Sequence, residues 1–331
     1  IREGFMTLIL NRDDVITVLN MNDCMNAVEK AFAELANGTA VLPLRIGITP
    51  PDGLSLYMPA YLKEMKALAC KVVTVYKNNP SKHNLPTTIG KVLLQDPETG
   101  NVKCIMDGGY LTAVRTGAAS GVATKYLARK DKGQVLGIFG AGVQAKMQLR
   151  AVVLARNIKY ALVHDVILEN VDKLINELSG PLKIEIKKAR SPIDILDQAD
   201  IICTATSSAT PIFDGVRIKE GTHINGIGSH TPGARELDST IIKRSKFIGD
   251  SRTACFSEAG DIMIPLKNGE ITEDHFYAEL GEIITGKKPG RANDKEITLF
   301  KSNGLAVQDA ATAKLVYDKA VEKGIGKEIN I

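Results

Sequence analysis

No stretch of about 18 consecutive apolar residues occurs in this 331-residue sequence, so no transmembrane helix is expected. No signal-peptide hydrophobic segment opens it; Ile1 to Phe5 precede Met6 and read as an appended remnant. No Lys/Arg run carries interleaved aromatics. The 42 basic and 38 acidic residues leave a formal charge of +4, too small and too dispersed for a nucleic-acid surface. Cys24, Cys70, Cys104, Cys203 and Cys255 include no C-x-x-C pair. Their spread argues against a zinc site or a disulfide framework and for a reducing, cytoplasmic setting. The histidines, at 83, 164, 223, 230 and 275, lack H-x-x-x-H spacing, and no G-x-S-x-G elbow is present. Metal-assisted hydrolysis and serine chemistry are therefore set aside, and no metal is expected.

What is present is a large potential core, with 44% hydrophobic residues, in a length that suits one or two domains. From Asn11 to Asn37 the spacing is helical, with Asn11 and Asn22 as candidate caps. Leu54–Ala60, Ala69–Tyr76 and Gly90–Gln95 read as strands. Asp96-Pro97-Glu98-Thr99-Gly100 reads as a tight turn into a returning strand, Val102–Met106. Strands in succession without helices between them predict a mainly antiparallel first domain. Leu111–Arg129 is helical and bridges into a second pattern. There Val135–Phe139, Tyr160–Val163, Ile184–Lys187, Ile201–Thr204, Thr222–Ile227 and Lys246–Ile248 read as strands, with helices to about Arg156 and over Val166–Leu178. This alternation predicts a Rossmann-type, doubly wound parallel sheet. The final helix, Ala306–Lys323, reads as having no strand after it and as packing back on the first domain. The fold class is thus α/β, a Rossmann-type parallel sheet plus an α+β domain with mainly antiparallel strands. Residues 126–308 form the Rossmann part; 1–125 and 309–331 form the other.

Gly140-Ala141-Gly142-Val143-Gln144-Ala145 fits G-x-G-x-x-A between a strand and a helix. Gly140 permits the turn, Gly142 lets a diphosphate approach, and Ala145 keeps helix and strand close, so the helix N-terminus meets the phosphates. Asp165 ends the next strand. A carboxylate there accepts from ribose hydroxyls and repels a 2′-phosphate, which favours NAD(H) over NADP(H); the alternative is a simple helix cap. Thr204-Ala205-Thr206 and the run containing Gly228 and Ser229 end further strands, where a cofactor would lie. On the substrate side, a small acid needs cations. Lys71 stands inside an apolar strand, which asks for a reason, though an edge position would also explain it. Arg115 lies among small residues and is either a ligand or part of a buried ion pair. Arg45 is the third candidate.

These residues and several further segments resemble the ornithine cyclodeaminase/mu-crystallin family over nearly the whole length from Met6. The segments are Tyr57-Met58-Pro59-Ala60, Lys71-Val72-Val73, Asp96 to Gly100, Arg115-Thr116-Gly117-Ala118-Ala119, the glycine motif, Thr222-His223-Ile224-Asn225, Pro232 through Arg235-Glu236-Leu237-Asp238, and Gly304-Leu305-Ala306-Val307-Gln308-Asp309. The resemblance implies a homodimer, a substrate and dimerisation domain made of the N-terminal part plus the C-terminal helix, and a grip on the substrate carboxylate by Arg45, Lys71 and Arg115. Arg115 and Thr116 count as cofactor contacts as well. Two positions depart from the cyclodeaminases. Leu56 stands where their glutamate meets the distal amine, and His230 where their catalytic aspartate stands. Loss of both acids disfavours ornithine cyclisation. The expected activity is reduction of the C=N bond of a 2-imino acid, Δ1-pyrroline-2-carboxylate or a related cyclic ketimine, with NADH. His230 and Asp309 are the candidates for proton transfer, and Lys71 is counted with them as a catalytic residue. Alanine dehydrogenase, ornithine or lysine cyclodeaminase, and a mu-crystallin-like nucleotide and ligand binder are the alternatives.

Overall fold

Period-two patterning from residue 54 to residue 107 and strand–helix alternation from residue 134 produce two different sheets. The computed structural model describes residues 6–131, 133–229 and 231–330. In chain order its elements are β1 (Met6–Leu10), α1 (Arg12–Val18), α2 (Met21–Asn37), β2 (Ala40–Val41), β3 (Ile46–Ile48), β4 (Leu54–Leu62), β5 (Ala67–Val75), α3 (Asn79–His83), β6 (Thr88–Gln95), β7 (Val102–Asp107) and α4 (Gly108–Leu127). There follow β8 (Gln134–Phe139), α5 (Val143–Ala155), β9 (Ile158–His164), α6 (Leu168–Leu182), β10 (Glu185–Lys188), α7 (Pro192–Gln198), β11 (Ile201–Thr204), β12 (His223–Gly226), α8 (Ser239–Arg244), β13 (Ser245–Gly249), α9 (Arg252–Glu258), α10 (Gly260–Lys267), β14 (Phe276–Glu279), α11 (Leu280–Ile284), β15 (Ile297–Lys301), α12 (Ala306–Lys323) and β16 (Lys327–Asn330). The chain divides into two units. One runs to Arg115 and resumes at Leu305; the other is Thr116–Gly304. The first division falls inside α4.

In the first unit the strand order is β16-β1-β7-β6-β5-β4-β2, with β3 also on β4. The pairs are antiparallel except β1 with β7, which is parallel. Alternation along β4 and β5 puts Met58, Ala60, Leu62, Ala67, Ala69 and Lys71 on one buried face, against which α12 packs together with α2. The other face leaves Pro59, Tyr61, Leu68, Cys70, Val72, Leu93 and Ile105 only half-buried. The β6–β7 turn closes as its residues require. Asp96 Oδ1 accepts from the N–H of Glu98 and Thr99, and Gly100 takes a φ of +77°, a left-handed value that favours glycine.

Two expectations are corrected here. Asn20, not Asn22, caps the second helix: its Oδ1 accepts from Asp23 N–H at 2.9 Å, while Asn11 caps α1. Asn20 keeps the extended backbone a cap needs, whereas Asn22 is already helical. And a strand does follow the last helix. β16 pairs antiparallel with β1. Its residues, Lys-Glu-Ile-Asn, are polar and mostly exposed, so they carry no hydrophobic alternation to read.

The second unit is an eight-stranded sheet, parallel throughout, in the order β10-β9-β8-β11-β12-β15-β13-β14. From β8 the chain builds outward through β9 and β10, and from β11 it builds the other way through β12, with β15 inserted between β12 and β13. The carboxyl ends of these two strands therefore flank the switch point where such sheets bind ligands. β8 is buried along its whole length, as a central strand covered on both faces must be. Apolar clusters fill both faces, one around Ile195, Leu237, Phe247 and Phe276, the other around Ala145, Leu149, Val171 and Leu174.

Candidate functional site

In the first unit, Lys71 lies on β5, which has β4 and β6 on either side. It is therefore a central-strand residue, and the edge explanation for it fails. Its side chain is 2% exposed and its Nζ stands 2.7 Å from Asp309 Oδ2. Arg115, on α4, donates from Nε to Asp309 Oδ1 at 2.9 Å and from Nη1 to Gln308 Oε1 at 2.7 Å. Asp309 thus bridges two buried cations. It sits in the first turn of α12, whose N-cap is Leu305, so its carboxylate is spent on the cations and not on capping. Arg45 precedes β3, half-buried, and its charge also acts on Lys71. Burial lowers the Lys71 pKa to about 8; Asp309 opposes this, and Arg115 and Arg45 add to it. Two buried cations on one carboxylate leave surplus positive charge, which suits an incoming anion. Leu56 pairs with Val73, two residues along each strand from the Met58–Lys71 pair, so it shares the Lys71 face and makes it apolar there.

In the second unit, Gly140 follows β8 with a φ of +99°. A Cβ there would lie 2.5 Å from the Ala205 carbonyl oxygen, so both its backbone and its surroundings require glycine. Gly142 caps α5 without a side-chain hydrogen bond, and nothing lies within 4 Å of where its Cβ would be. The 13-residue α5 therefore presents its first N–H groups to open space. Asp165 accepts Ala141 N–H at 2.7 Å and Ile167 N–H at 2.8 Å, one on each oxygen. It ties the glycine turn to the end of β9, and it does not cap α6, whose N-cap is Ile167. A carboxylate with about four lone-pair positions keeps two for further donors. The sites named from sequence at Thr204, Ala205, Thr206, Gly228 and Ser229 follow β11 and β12 at the same end of the sheet. Thr116 and Val143 open the unit and α5 respectively, with Val143 exposed. A dinucleotide fits these features: a glycine turn, a free helix N-terminus and a carboxylate with spare acceptor capacity. His230 lies outside the described residues.

A family profile for the ornithine cyclodeaminase/mu-crystallin family matches residues 6–324. The chain belongs to that family. A solved Delta(1)-pyrroline-2-carboxylate reductase of Thermococcus litoralis, in complex with NADH and L-proline, is 49% identical, with a TM-score of 0.93 over 98% of this chain and 100% of the other. An archaeal alanine dehydrogenase dimer with bound NAD is 37% identical, with a TM-score of 0.92 over 98% and 99%. The Delta(1)-pyrroline-2-carboxylate reductase of Bacillus cereus is 35% identical over 325 residues, 97% of this chain and 99% of the relative.

The ornithine cyclodeaminase/mu-crystallin fold here also carries a buried charged network that sequence reasoning passed over. Glu236, Asp261, Lys301 and Asp250 are all fully buried. Lys301 Nζ pairs with Asp261 at 2.9 Å and donates to the carbonyls of Gly226 and Ser229. Asp250 Oδ2 accepts from the N–H groups of Asn303 and Gly304, each at 2.7 Å. One signal was readable: Lys301 closes the largely apolar run Ile-Thr-Leu-Phe, an odd place for a lysine, as Lys71 is in its own strand. Glu236 lay inside a motif noticed only for its resemblance.

Proposed function

We propose that this protein is an NAD(H)-dependent imine reductase that reduces the C=N bond of a 2-imino acid, with Δ1-pyrroline-2-carboxylate, giving L-proline, or a related cyclic ketimine as substrate. The observation that carries the reading is the buried Lys71–Asp309–Arg115 cluster, with its surplus positive charge and a proton-bearing amine beside an apolar face. Arg115 and Arg45 hold the substrate carboxylate and so fix the adjacent carbon. Leu56 suits an uncharged ring and offers no partner to a distal ammonium. When bound, the dinucleotide supplies the hydride that forms the new C–H bond at the imine carbon. The nitrogen then needs one proton. Lys71, with a pKa lowered to about 8, gives it up readily, and Asp309 holds Lys71 in place. His230 is a second candidate for the same transfer.

Gly140, Ala141, Gly142, Val143 and Gln144 cradle the diphosphate, and Asp165 takes the adenosine ribose hydroxyls. A carboxylate at that point favours NAD(H) over NADP(H). Thr116, Thr204, Ala205, Thr206, Gly228 and Ser229 complete the cofactor contacts, with Arg115. The 49% identity to a reductase solved with NADH and L-proline supports the reading as a whole. We also read the protein as a cytoplasmic homodimer, with the unit holding β1–β7 and α12 as its substrate-binding and dimerising part. All five cysteines are unpaired. The half-buried sheet face, with Val41, Leu44, Ile46 and Ile48 exposed beside it, is the apolar surface a second copy would cover.

The test is NADH oxidation with Δ1-pyrroline-2-carboxylate, run beside pyruvate plus ammonium. Rapid oxidation with the cyclic imine supports the proposal. Oxidation only with pyruvate and ammonium would replace it by an alanine dehydrogenase, the second reading favoured by the 37% identical dimer. No oxidation in either mixture would defeat both.

A further inference from the structure

The proposed cofactor site leaves Glu236 without a role, and its surroundings are unusual. Glu236 is completely buried, yet its carboxylate takes four donors. Oε1 accepts from Thr206 N–H and Thr206 Oγ1, each at 2.6 Å; Oε2 accepts from Thr204 Oγ1 and Gly228 N–H, each at 2.7 Å. These donors lie at the carboxyl ends of two strands and in the loops that follow: Thr204 closes β11 and Thr206 follows it, and Gly228 follows β12. The fit is close enough that a Cβ on Gly228 would lie 2.4 Å from both the Glu236 carboxyl carbon and the Thr206 carbonyl oxygen. Glu236 is itself held. Its N–H and that of Leu237 donate to Asp261 Oδ1. Asp261 pairs with Lys301, which in turn holds the carbonyls of Gly226 and Ser229. The first loop also touches the glycine turn, since Ala205 N–H donates to the Phe139 carbonyl and the Ala205 oxygen packs on Gly140.

We propose that Glu236 is a positioning residue for the dinucleotide: one carboxylate clamps the loops at Thr204–Thr206 and Gly228 to each other and so sets the shape of the surface that the cofactor meets. This rests on the reading of the second unit as an NAD(H) site. Four charge-assisted bonds in a dry setting are strong and directional. Their only alternatives would be unsatisfied buried donors, so the clamp has one geometry. Two loops without it would have to be ordered by the cofactor itself, at the expense of affinity.

Glu236→Gln tests this with almost no change of shape. Hydroxyl donors can turn round and accept from an amide, but backbone N–H groups cannot. Each carboxylate oxygen serves one backbone N–H, so either orientation of the amide leaves one of them facing an NH2. The expected result is a rise in the NADH KM of about tenfold, with the imino-acid KM at saturating NADH and kcat each within about twofold of wild type. A residue that only supports folding would lower the melting temperature without this split. If Glu236→Gln does not fold, Thr204→Val removes a single hydroxyl donor and should raise the NADH KM about threefold. A folded variant with the wild-type NADH KM overturns the proposal. Wild-type protein titrated with NADH by fluorescence separates the two failures. Binding by wild type and equal binding by the variant sinks only the clamp, whereas no binding by wild type sinks the cofactor reading and the clamp with it.

Discussion

Replacing Asp309 by asparagine keeps the shape of the side chain and removes its charge. In the wild type, Asp309 is the one group raising the pKa of Lys71, through both its charge and its hydrogen bond; burial, Arg115 and Arg45 all push the other way. With Asp309 neutral, its charge no longer opposes the lowering influences, and Lys71 loses its proton at a lower pH than the wild-type value of about 8. Two consequences follow with definite signs. If protonated Lys71 is needed, wild-type kcat/KM falls above pH about 8, and in Asp309→Asn this alkaline limb moves to lower pH. At neutral pH the variant should lose on the order of a hundredfold in kcat/KM, the lower end of what a positioned proton donor contributes, with part of the loss recovered on acidification. Stability should suffer less than activity. Breaking a buried ion pair costs about 3–5 kcal/mol when a charge is stranded, but Lys71 can shed its proton and limit that cost, whereas Arg115 cannot. The wild-type linkage runs the same way. The folded pKa of about 8 lies below the ordinary lysine value of 10.5, so the lysine favours folding most above pH 10.5, and roughly 3 kcal/mol of that is lost as pH falls through 8. The assay is the pH profile of NADH oxidation for both proteins, beside urea unfolding. An alkaline limb that stays in place, or moves upward, in Asp309→Asn would refute the assignment of Lys71 and Asp309.

Other substitutions probe the remaining parts. Gly140→Ala places a methyl group about 2.5 Å from the Ala205 oxygen at a φ of +99°; we expect destabilisation of about 2 kcal/mol or more and loss of NADH binding, and a folded variant with unchanged NADH titration would contradict the cradle. Asp165→Ser removes the carboxylate and its bond to Ala141; the NADPH-to-NADH affinity ratio should rise about tenfold or more, and an unchanged ratio would show that the ribose contact is wrongly assigned. Ile46→Glu puts a charge on the exposed apolar strand β3; if the proposed dimer uses that face, light scattering should report a dimer for the wild type and a monomer for the variant, and a variant that remains dimeric would move the interface elsewhere.

Much of the fold was legible because it obeys simple periods. β4, β5, β6 and β7 alternate, and the chain turns at Asp96–Gly100. From Val135 the strand–glycine–helix order repeats at α/β spacing. The antiparallel and parallel sheets follow from those two patterns. β16 was missed, since a short, polar edge strand owes its existence to the backbone groups that β1 offers. β14 and β15 were missed because three short helices, α9 to α11, interrupt the alternation between residues 250 and 296.

The sequence by itself determined the two kinds of sheet, the glycine turn with its carboxylate at Asp165, and the oddity of a lysine in an apolar strand. Each is a local matter: a period, a left-handed φ, or a polar residue in an apolar run. Tertiary structure alone decided what those residues do with their charges. Asp309 meets Lys71 and Arg115 from 238 and 194 positions away along the chain, and Glu236 reaches Thr204 at the end of one strand and Gly228 in the loop after another. A buried charge must find its partners or give up its proton, and the fold, bringing distant segments into one dry volume, selects which of the two occurs.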